Sequence, residues 1–330
     1  MRDSMKTITM TDVAREAGVS QSTVSRVLNN VPSISDETCE NVRKAVLKLR
    51  YCVRTGVNRT QIAFLMCPFS EQQNPFSFDF FSNMLRGAQE VAEQEKYELL
   101  IRTLPAECRK LPENLNLEQL AGVVLINSPT QELIALLNER KIPAVAAAAD
   151  SFEEPSGIDE VINDNLFFGR SACRYMLERG IDNFGILLPR CYTTRLLGIA
   201  LEMKRHGRKI DLESLPLPEN TEIAEIIRSF CRLWSTPPHP RGLIVPYYVA
   251  AQALEPILNG YGLQVPNDIE IFTLGFHEEQ THFPMVLQYP CEIGRKSIQA
   301  LLWRIRNPES IPTTYMVGAT LANIRTPVKS

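Results

Sequence analysis

The sequence contains no long apolar run. None of the apolar stretches in its 330 residues approaches the roughly 20 residues that a membrane-spanning helix needs. Its first ten residues, MRDSMKTITM, are polar and lack the apolar core of a secretory signal. We therefore expect a cytoplasmic protein that has no membrane partner.

Motifs of disulfide frameworks, metal sites and catalysis are also missing. The eight cysteines include no Cys-x-x-Cys pair and several stand in apolar runs, which predicts reduced, buried thiols. Gly-x-Ser-x-Gly and Gly-rich phosphate loops are absent. His277 and His282 are five residues apart and have no third metal ligand at a recognisable spacing. These absences favour a binding protein without metal or cofactor over an enzyme.

Charge is divided unevenly along the chain. Residues 1–60 hold ten Lys and Arg against six Asp and Glu, so the net charge of −3 leaves −7 for the remainder. A small basic unit attached to a larger acidic one fits a nucleic-acid-binding module. A chance distribution of charged residues explains so small a surplus of positive charge equally well.

Two short helices are predicted near the start of the chain. Thr9 or Thr11 opens a helical segment that ends at Gly18, because glycine turns a chain sharply at little steric cost. Ser20 then caps a second helix over 21–28, whose apolar residues recur at i, i+3 and i+4. Two helices joined by a glycine-containing turn form a helix-turn-helix, a DNA-reading motif.

The second helix is predicted to present Gln21, Ser22, Ser25 and Arg26 outward. Arginine can pair with guanine and glutamine with adenine through two hydrogen bonds, while hydroxyl groups suit phosphates. A merely solvated helical face is the alternative.

Three stretches of this region closely resemble the headpiece of the LacI/GalR repressor family: TMTDVA (9–14), AGVS (17–20) and TVSRVLN (23–29). The resemblance implies that Gln21, Ser22 and Arg26 contact bases in the major groove. It also implies that five residues with hydroxyl or amide side chains contact phosphates: Thr9, Ser20, Thr23, Ser25 and Asn29.

The segment after the headpiece departs from this family. Relatives carry a short hinge helix with a leucine that wedges into the minor groove, whereas this chain has CVRTGVNRT (52–60), about five residues shorter and without leucine. We expect a short basic linker over 51–61 with Arg54 and Arg59 near phosphates, and weaker or less ligand-sensitive DNA bending than in relatives.

From Gln61 onward, apolar strands alternate with helices, as in 62–67 followed by 81–95. Repeated βα units predict parallel sheets with helices on both faces. Two such lobes fit into the remaining length, with a ligand cleft at the carboxyl ends of the strands. The predicted domains are a headpiece (1–50), a linker (51–61) and a ligand-binding and dimerisation domain (62–330).

The family resemblance continues over this domain through landmarks such as Glu178-Arg179-Gly180 and Gln288-Tyr289-Pro290. Their order and spacing imply a two-lobed periplasmic-binding-protein-like fold. The chain is then expected to cross between lobes near Gly180, Pro290 and Gly318. This gives an N-lobe of about 62–179 and 290–317, and a C-lobe of about 180–289 and 318–330.

Five residues are the candidate effector site: Phe76, Asp164, Arg195, Tyr247 and His277. Arg195 resembles the cleft arginine that grips ligand hydroxyls or carboxylates, with a surface salt bridge as the alternative. Asp164 resembles a cleft acceptor, or else it caps the helix that follows.

Two positions depart from the family pattern in this cleft. Tyr247-Tyr248 replaces an Asn-Asp pair, and His277 replaces an aspartate, so fewer acceptors for sugar hydroxyls remain. Tyr247 and Phe76 would instead stack on a flat ring or a sugar face. Plain packing is the alternative for the tyrosines, and a cleft that has lost its ligand is another.

The resemblance implies a DNA-binding transcription regulator, and it favours a repressor because most members of the family are repressors. We expect a homodimer on palindromic operators, with a sugar or related metabolite as effector. An effector-independent regulator with a degenerate cleft is one alternative. A solute-binding protein without a DNA role is another, but it predicts an export signal and no headpiece.

Overall fold

The computed structural model describes residues 9–28, 34–49, 59–67, 79–105, 110–112, 114–127, 129–148, 156–276 and 282–325. The helices within these ranges are α1 (Met10–Ala17), α2 (Gln21–Leu28), α3 (Asp36–Leu49), α4 (Asp79–Gln94), α5 (Gln131–Glu139), α6 (Asn165–Glu178), α7 (Thr193–Arg205), α8 (Ile223–Trp234), α9 (Tyr248–Gly260) and α10 (Pro290–Arg306). The strands are β1 (Gln61–Met66), β2 (Glu98–Thr103), β3 (Leu120–Ile126), β4 (Ala144–Ala147), β5 (Asp159–Asn163), β6 (Phe184–Ile186), β7 (Gly242–Ile244), β8 (Glu270–Gly275), β9 (Met285–Leu287), β10 (Thr314–Val317) and β11 (Thr320–Ala322). Within this part of the chain, no helix has the length and apolarity needed to cross a membrane.

Helices α1 to α3 form the predicted helix-turn-helix headpiece. Thr9 caps α1 through a reciprocal capping box with Asp12, and Gly18 ends the helix in a left-handed conformation, φ 67°. The sequence predicted either Thr9 or Thr11 as the start of this helix, and the cap in the structure is Thr9. One fully buried valine from each helix meets in the core: Val13, Val24 and Val42.

The N-lobe is built on a six-stranded sheet in the order β10-β5-β4-β3-β1-β2. All its strand pairs are parallel. Alternate β1 residues face opposite ways: Phe64 packs with α4 and α10, while Leu65 packs with α5. The predicted parallel sheet covered by helices on both faces is confirmed for this lobe.

The C-lobe is built on a five-stranded sheet in the order β11-β9-β8-β7-β6. Strands β6 to β9 are parallel. Helices α6 and α7 cover one face, and α8 and α9 cover the other. The edge strand β11 is antiparallel to β9, which the sequence analysis did not predict. Two residues separate β10 in the N-lobe from β11 in the C-lobe, so the chain enters the second sheet directly from the first.

The first crossing between the lobes lies at Asp164, between β5 and α6. Phe168 and Met176 of α6 pack in the same core cluster as Phe272 of the C-lobe sheet. Residues 165–179 therefore belong to the C-lobe, and the predicted crossing near Gly180 is wrong. Gly180 instead follows α6 with φ 69°, so its turn signal marks the end of a helix.

One helix pair in each lobe packs at backbone contact through glycines. A Cβ atom built on Gly294 of α10 would lie 1.8 Å from the carbonyl oxygen of Met84 in α4. A Cβ atom on Gly169 of α6 would lie 1.9 Å from the carbonyl oxygen of Arg195 in α7. Since neither position has room for a methyl group, glycine is required for the close approach of the two helices in each pair.

The six cysteines that lie within the described residues are all reduced. Cys67 and Cys173 are buried as predicted, whereas Cys191 is exposed. Cys39, Cys231 and Cys291 are half-buried. The prediction of buried thiols is therefore wrong for Cys191, because it lies in the loop between β6 and α7 rather than in an apolar strand.

Gly294→Ala is expected to destabilise the protein by about 1–3 kcal/mol, the usual cost of overpacking a filled contact. The added methyl group must push α10 away from α4. Urea denaturation followed by circular dichroism measures the effect. Gly260→Ala is the matched control, because no atom lies within 4 Å of a Cβ built there, and it should be neutral or slightly stabilising. Equal stabilities for the two variants would contradict the close-packing argument.

Candidate DNA-binding face and interlobe cleft

The outer face of α2 presents polar side chains to solvent. Gln21, Ser22 and Arg26 are exposed, while Val24 and Val27 are buried against the other two helices. Burial of the valines fixes which side of α2 points outward, because residues three apart share a helical face. The structure thus brings the three predicted base-contacting residues together on one surface.

Hydroxyl groups cluster at the start of α2. The Ser20 Oγ accepts a hydrogen bond from the backbone N–H of Thr23 at 3.1 Å, so Ser20 is the cap that the sequence predicted. The same oxygen lies 2.7 Å from the Ser22 Oγ and 2.8 Å from the Thr23 Oγ1. A helix N-terminus with clustered hydroxyl groups is suited to a phosphate oxygen.

The other predicted phosphate contacts have different positions in the structure. Thr9 is exposed, and its hydroxyl donates to the Asp12 carboxylate at 2.6 Å. Ser25 is half-buried, and Arg59 is exposed two residues before β1. Asn29 and Arg54 lie outside the described residues, as does most of the shortened linker. The phosphate role of all these residues stays a prediction.

Arg195 occupies the carboxyl edge of the C-lobe sheet. Only 8% of the residue is exposed. Its Nε donates to Asn165 Oδ1 at 3.1 Å, and its Nη1 donates to the carbonyl oxygen of Pro246 at 3.2 Å. The guanidinium carbon lies 4.1 Å from the centre of the Tyr192 ring. The surface salt bridge considered from the sequence is therefore wrong, since Arg195 is buried at the cleft and within 4.0 Å of no carboxylate of the described residues.

Asn165 connects Arg195 to a second buried amide. Its Oδ1 also accepts a hydrogen bond from the Nε2 of Gln288 at 3.2 Å, and Gln288 follows β9 with 2% exposure. In the sequence Gln288 is only a family landmark, and no motif singles out Tyr192. The role of Gln288 depends on a contact with the distant Asn165. Tyr192 precedes Arg195 by only three residues, and residues at that spacing can touch on a helix, so this contact had a possible sequence signal.

Asp164 serves as the cap of α6. Its Oδ1 accepts a hydrogen bond from the backbone N–H of Phe167 at 2.9 Å, which is the interaction that the capping alternative predicted. A contact between its other oxygen and a ligand stays a prediction.

Tyr247 is anchored to the C-lobe rather than free to stack on a ligand. Its hydroxyl donates to the carbonyl oxygen of Thr221 at 2.5 Å, and its ring packs against the C-lobe core. Burial raises the pKa of this hydroxyl. The packing alternative describes this contact. The other two predicted effector residues, Phe76 and His277, lie outside the described residues.

The N-lobe side of the cleft contains a residue that the sequence analysis missed. Asn127 follows β3 with φ 70°, is 2% exposed, and donates through Nδ2 to the carbonyl oxygen of Cys67 at 2.8 Å. Asparagine is among the residues that most often adopt a left-handed conformation, and ligands of open α/β sheets bind at the carboxyl ends of the strands. Phe80 of the N-lobe and Phe276 of the C-lobe meet edge to face, with ring centres 6.3 Å apart.

Within the described ranges, no three His, Cys, Asp or Glu side chains are grouped so that they could hold a metal ion. The chemistry that the located cleft residues offer is therefore hydrogen bonding, one guanidinium charge and aromatic surface.

Asn165→Leu is expected to destabilise the protein by about 1–3 kcal/mol, because buried donors of Arg195 and Gln288 lose their shared acceptor. Equilibrium urea denaturation checks this. Asn138→Leu on the exposed surface of α5 is the control, and it should change stability by less than about 0.5 kcal/mol. If Asn165→Leu costs no more than the control, the hydrogen bonds of Asn165 with Arg195 and Gln288 do not contribute to stability.

Comparison with known proteins agrees with this architecture. Residues 9–52 match the bacterial regulatory proteins of the lacI family, and residues 173–323 match the periplasmic binding protein-like domain. Catabolite control protein A of Staphylococcus epidermidis is 26% identical over 331 residues, which cover 94% of this chain and 96% of that protein.

Two solved structures share the fold over nearly the whole chain. The complex of the transcriptional regulator CelR with cellobiose has a TM-score of 0.69 at 21% identity, covering 95% of this chain and 98% of that one. The lac repressor dimer bound to operator and the anti-inducer ONPF has a TM-score of 0.64 at 18% identity, covering 96% and 98%. Together with the headpiece and the two-lobed domain, these matches show a lacI-family regulatory domain followed by a periplasmic-binding-protein-like domain, the architecture of LacI-family transcription regulators.

Proposed function

We propose that this protein is a repressor that binds palindromic operators as a homodimer and responds to a small molecule, a sugar or related metabolite, in the interlobe cleft. The main observation behind this proposal is the outer face of α2, where Gln21, Ser22 and Arg26 are exposed on the side opposite the buried valines of the headpiece core. We propose further that it acts by binding alone, without catalysis, in the cytoplasm.

Specific DNA recognition follows from the chemistry of the α2 face. A helix of this size fits the major groove, where Arg26 can donate two hydrogen bonds to guanine and Gln21 can pair with adenine. Each such pair is worth about 1–3 kcal/mol of discrimination against the wrong base. The hydroxyl groups of Ser20 and Thr23 would hold phosphates and set the register of the helix without reading sequence.

Two headpieces in a symmetric dimer would occupy half-sites about one helical turn of DNA apart, so the operator would mirror the two-fold axis. In this arrangement residues 1–50 are the headpiece and 51–61 the linker. The N-lobe then comprises about 62–164 and 290–317, and the C-lobe the rest of 62–330. The related lac repressor was solved as a dimer on its operator, which supports this geometry.

Control by an effector requires two states of the cleft, because a ligand shifts DNA affinity only through its different affinities for those states. The buried hydrogen-bonding groups of Arg195, Asn165 and Asn127 at the strand ends support a polar small molecule. An effector-independent regulator is the alternative. A thermal-shift screen of sugars, nucleosides and aromatic metabolites on the full chain distinguishes the two.

The DNA proposal is tested by selecting duplexes from a random pool with the purified protein at physiological salt. We expect enrichment of a palindrome with two equivalent half-sites. Selected duplexes that bind no better than the starting pool would contradict the proposed function.

Arg26→Ala is expected to cost about 1–3 kcal/mol of binding free energy on the selected operator and to relax base preference at one position of each half-site. Fluorescence anisotropy on single-base operator variants measures both effects. Lys44→Ala removes one positive charge from the exposed face of α3 and serves as the charge-matched control. Unchanged specificity in the Arg26 variant would show that the register of α2 in the groove is wrong.

Arg59→Ala is expected to weaken binding to all sequences alike, because a phosphate contact carries no base information. The slope of log K against log salt concentration should fall in magnitude by about one unit. Titrations on the operator and on random duplex at several salt concentrations measure this. A loss confined to the operator would instead place Arg59 at a base edge.

A further inference from the structure

Positive charge is concentrated on one part of the C-lobe. Residues 165–209, which form α6, β6, α7 and the segment after α7, hold nine Lys and Arg against three Asp and Glu. This surplus of six positive charges lies within residues 61–330, whose net charge is −7. Charges of both signs are usually interspersed on a protein surface, and a region of one sign attracts ligands of the opposite sign.

Three arginines converge on a single carboxylate where α6 meets α7. Glu202 is 1% exposed and accepts hydrogen bonds from the Nε of Arg174 at 2.9 Å and the Nε of Arg170 at 3.2 Å. Arg205 lies 3.8 Å from the same carboxylate, and His206 lies 3.6 Å from it. The hydrogen bond from Arg174, more than that from Arg170, lowers the pKa of Glu202 to about 2. One permanently charged carboxylate balances only one of the three arginines.

The unbalanced charge faces solvent. The side chains of Arg170, Arg174 and Arg205 are 41%, 40% and 64% exposed. Lys204 and Lys209 are exposed as well. These side chains can therefore reach a partner without any rearrangement of the buried Glu202.

The other two acidic residues of this segment do not cancel the surplus. Asp182 forms an ion pair of 2.6 Å with Arg208. Glu178 is the last residue of α6 and lies one helical turn after Arg174, which it can approach. Each of these carboxylates thus has a cation of its own, and the exposed lysines and Arg205 remain in excess.

Stabilisation of a helix end explains only part of this pattern. Positive side chains near a helix C-terminus interact favourably with the helix dipole, which accounts for Lys204 and Arg205 at the end of α7. Arg170 and Arg174 lie in the middle of α6, where the dipole gives no such preference.

Two exposed leucines border the arginines. Leu197 and Leu201 of α7 are 50% and 43% exposed. Leu197, Leu201 and Arg205 recur at intervals of four residues, so they lie in one row along the helix. We call the surface formed by Arg170, Arg174, Leu197, Leu201 and Arg205 the α6–α7 face. A nucleic acid would use its charges but leave the leucines uncovered, whereas a protein segment can use both.

We propose that the α6–α7 face binds a partner protein through an acidic segment that carries large apolar side chains. Carboxylates of that segment would pair with the exposed arginines, which match two carboxylate oxygens at once. Its leucine or phenylalanine side chains would cover Leu197 and Leu201, as an amphipathic segment does when it lies along an apolar strip. This role is separate from DNA recognition by α2 and from the interlobe cleft.

The first experiment selects random peptides displayed on phage with the immobilised full-length protein. Excess duplex DNA is present to occupy the headpiece. We expect enrichment of peptides that combine Asp or Glu with Leu or Phe and carry a net negative charge. Enrichment of neutral or basic peptides, or no enrichment at all, would contradict the proposal.

The second experiment measures the selected peptides on variants by fluorescence anisotropy. Leu201→Ser and Arg205→Ala alter exposed side chains and keep both arginines that hold Glu202, so they should fold normally. Each should weaken peptide binding at least about 5-fold. The matched controls are Ile311→Ser and Arg140→Ala, exposed residues outside this face, and they should bind as the parent protein does. Binding that survives both test variants, or falls equally in the controls, would overturn the proposal.

Hydrogen–deuterium exchange locates the bound peptide without any variant. We expect the peptide to slow exchange in residues 165–178 and 193–205, and protection confined to other segments would place the binding site elsewhere and refute the proposal.

Titrations with random duplex test the nucleic-acid alternative. Arg205→Ala should leave duplex binding and its salt dependence unchanged. A slope of log K against log salt concentration that falls in magnitude by about one unit would assign the α6–α7 face to nucleic acid instead. Operator selection is scored separately, so the outcome for this face does not depend on the DNA proposal.

Discussion

The hydrogen bonds around Arg195 join the parts of the C-lobe on which the cleft depends. The guanidinium, carried by α7, bonds to Asn165 at the start of α6 and to Pro246 after β7, and Asn165 bonds in turn to Gln288 after β9. Asn165 directly follows one crossing between the lobes, and Gln288 lies just before another. The hydrogen-bond network around Arg195 therefore reaches both of these connections between the lobes.

The hydrogen-bond network around Arg195 lies on a closely packed helix pair. Gly169 and Gly198 bring α6 and α7 to backbone contact, and Glu202 of α7 binds Arg170 and Arg174 of α6. Arg195 is therefore carried on a helix that is closely packed and ion-paired to its neighbour. In the N-lobe, Gly87 and Gly294 do the same for α4 and α10. In hinge and shear domain closure, close-packed elements move as rigid bodies and a few connecting residues absorb the change in shape.

Much of this architecture could be predicted from local sequence signals. The end of α1 at Gly18, the cap at Ser20 and the alternation of strands and helices depend on neighbouring residues. The crossing at Asp164 could not be found in this way, because Gly180 shows only that a helix ends. Which sheet α6 covers is decided by Phe168 and Met176 meeting Phe272, about a hundred residues later. That Arg195 lies within 4.0 Å of no carboxylate in the described part of the chain is likewise not predictable locally, since the packing of distant segments decides it.

The contact between α4 and α10 also has a consequence for biosynthesis. Strands β1 to β5 leave the ribosome early, but α10 and β10, which cover and complete their sheet, come from residues 290–317. The C-lobe has all four parallel strands once Leu287 has emerged. The lobe translated first is thus finished after the body of the lobe translated second. Until then Phe64 and Met66, which pack beside α10 residues in the finished core, lack that cover, and nascent chains stalled before residue 290 should be clients of chaperones.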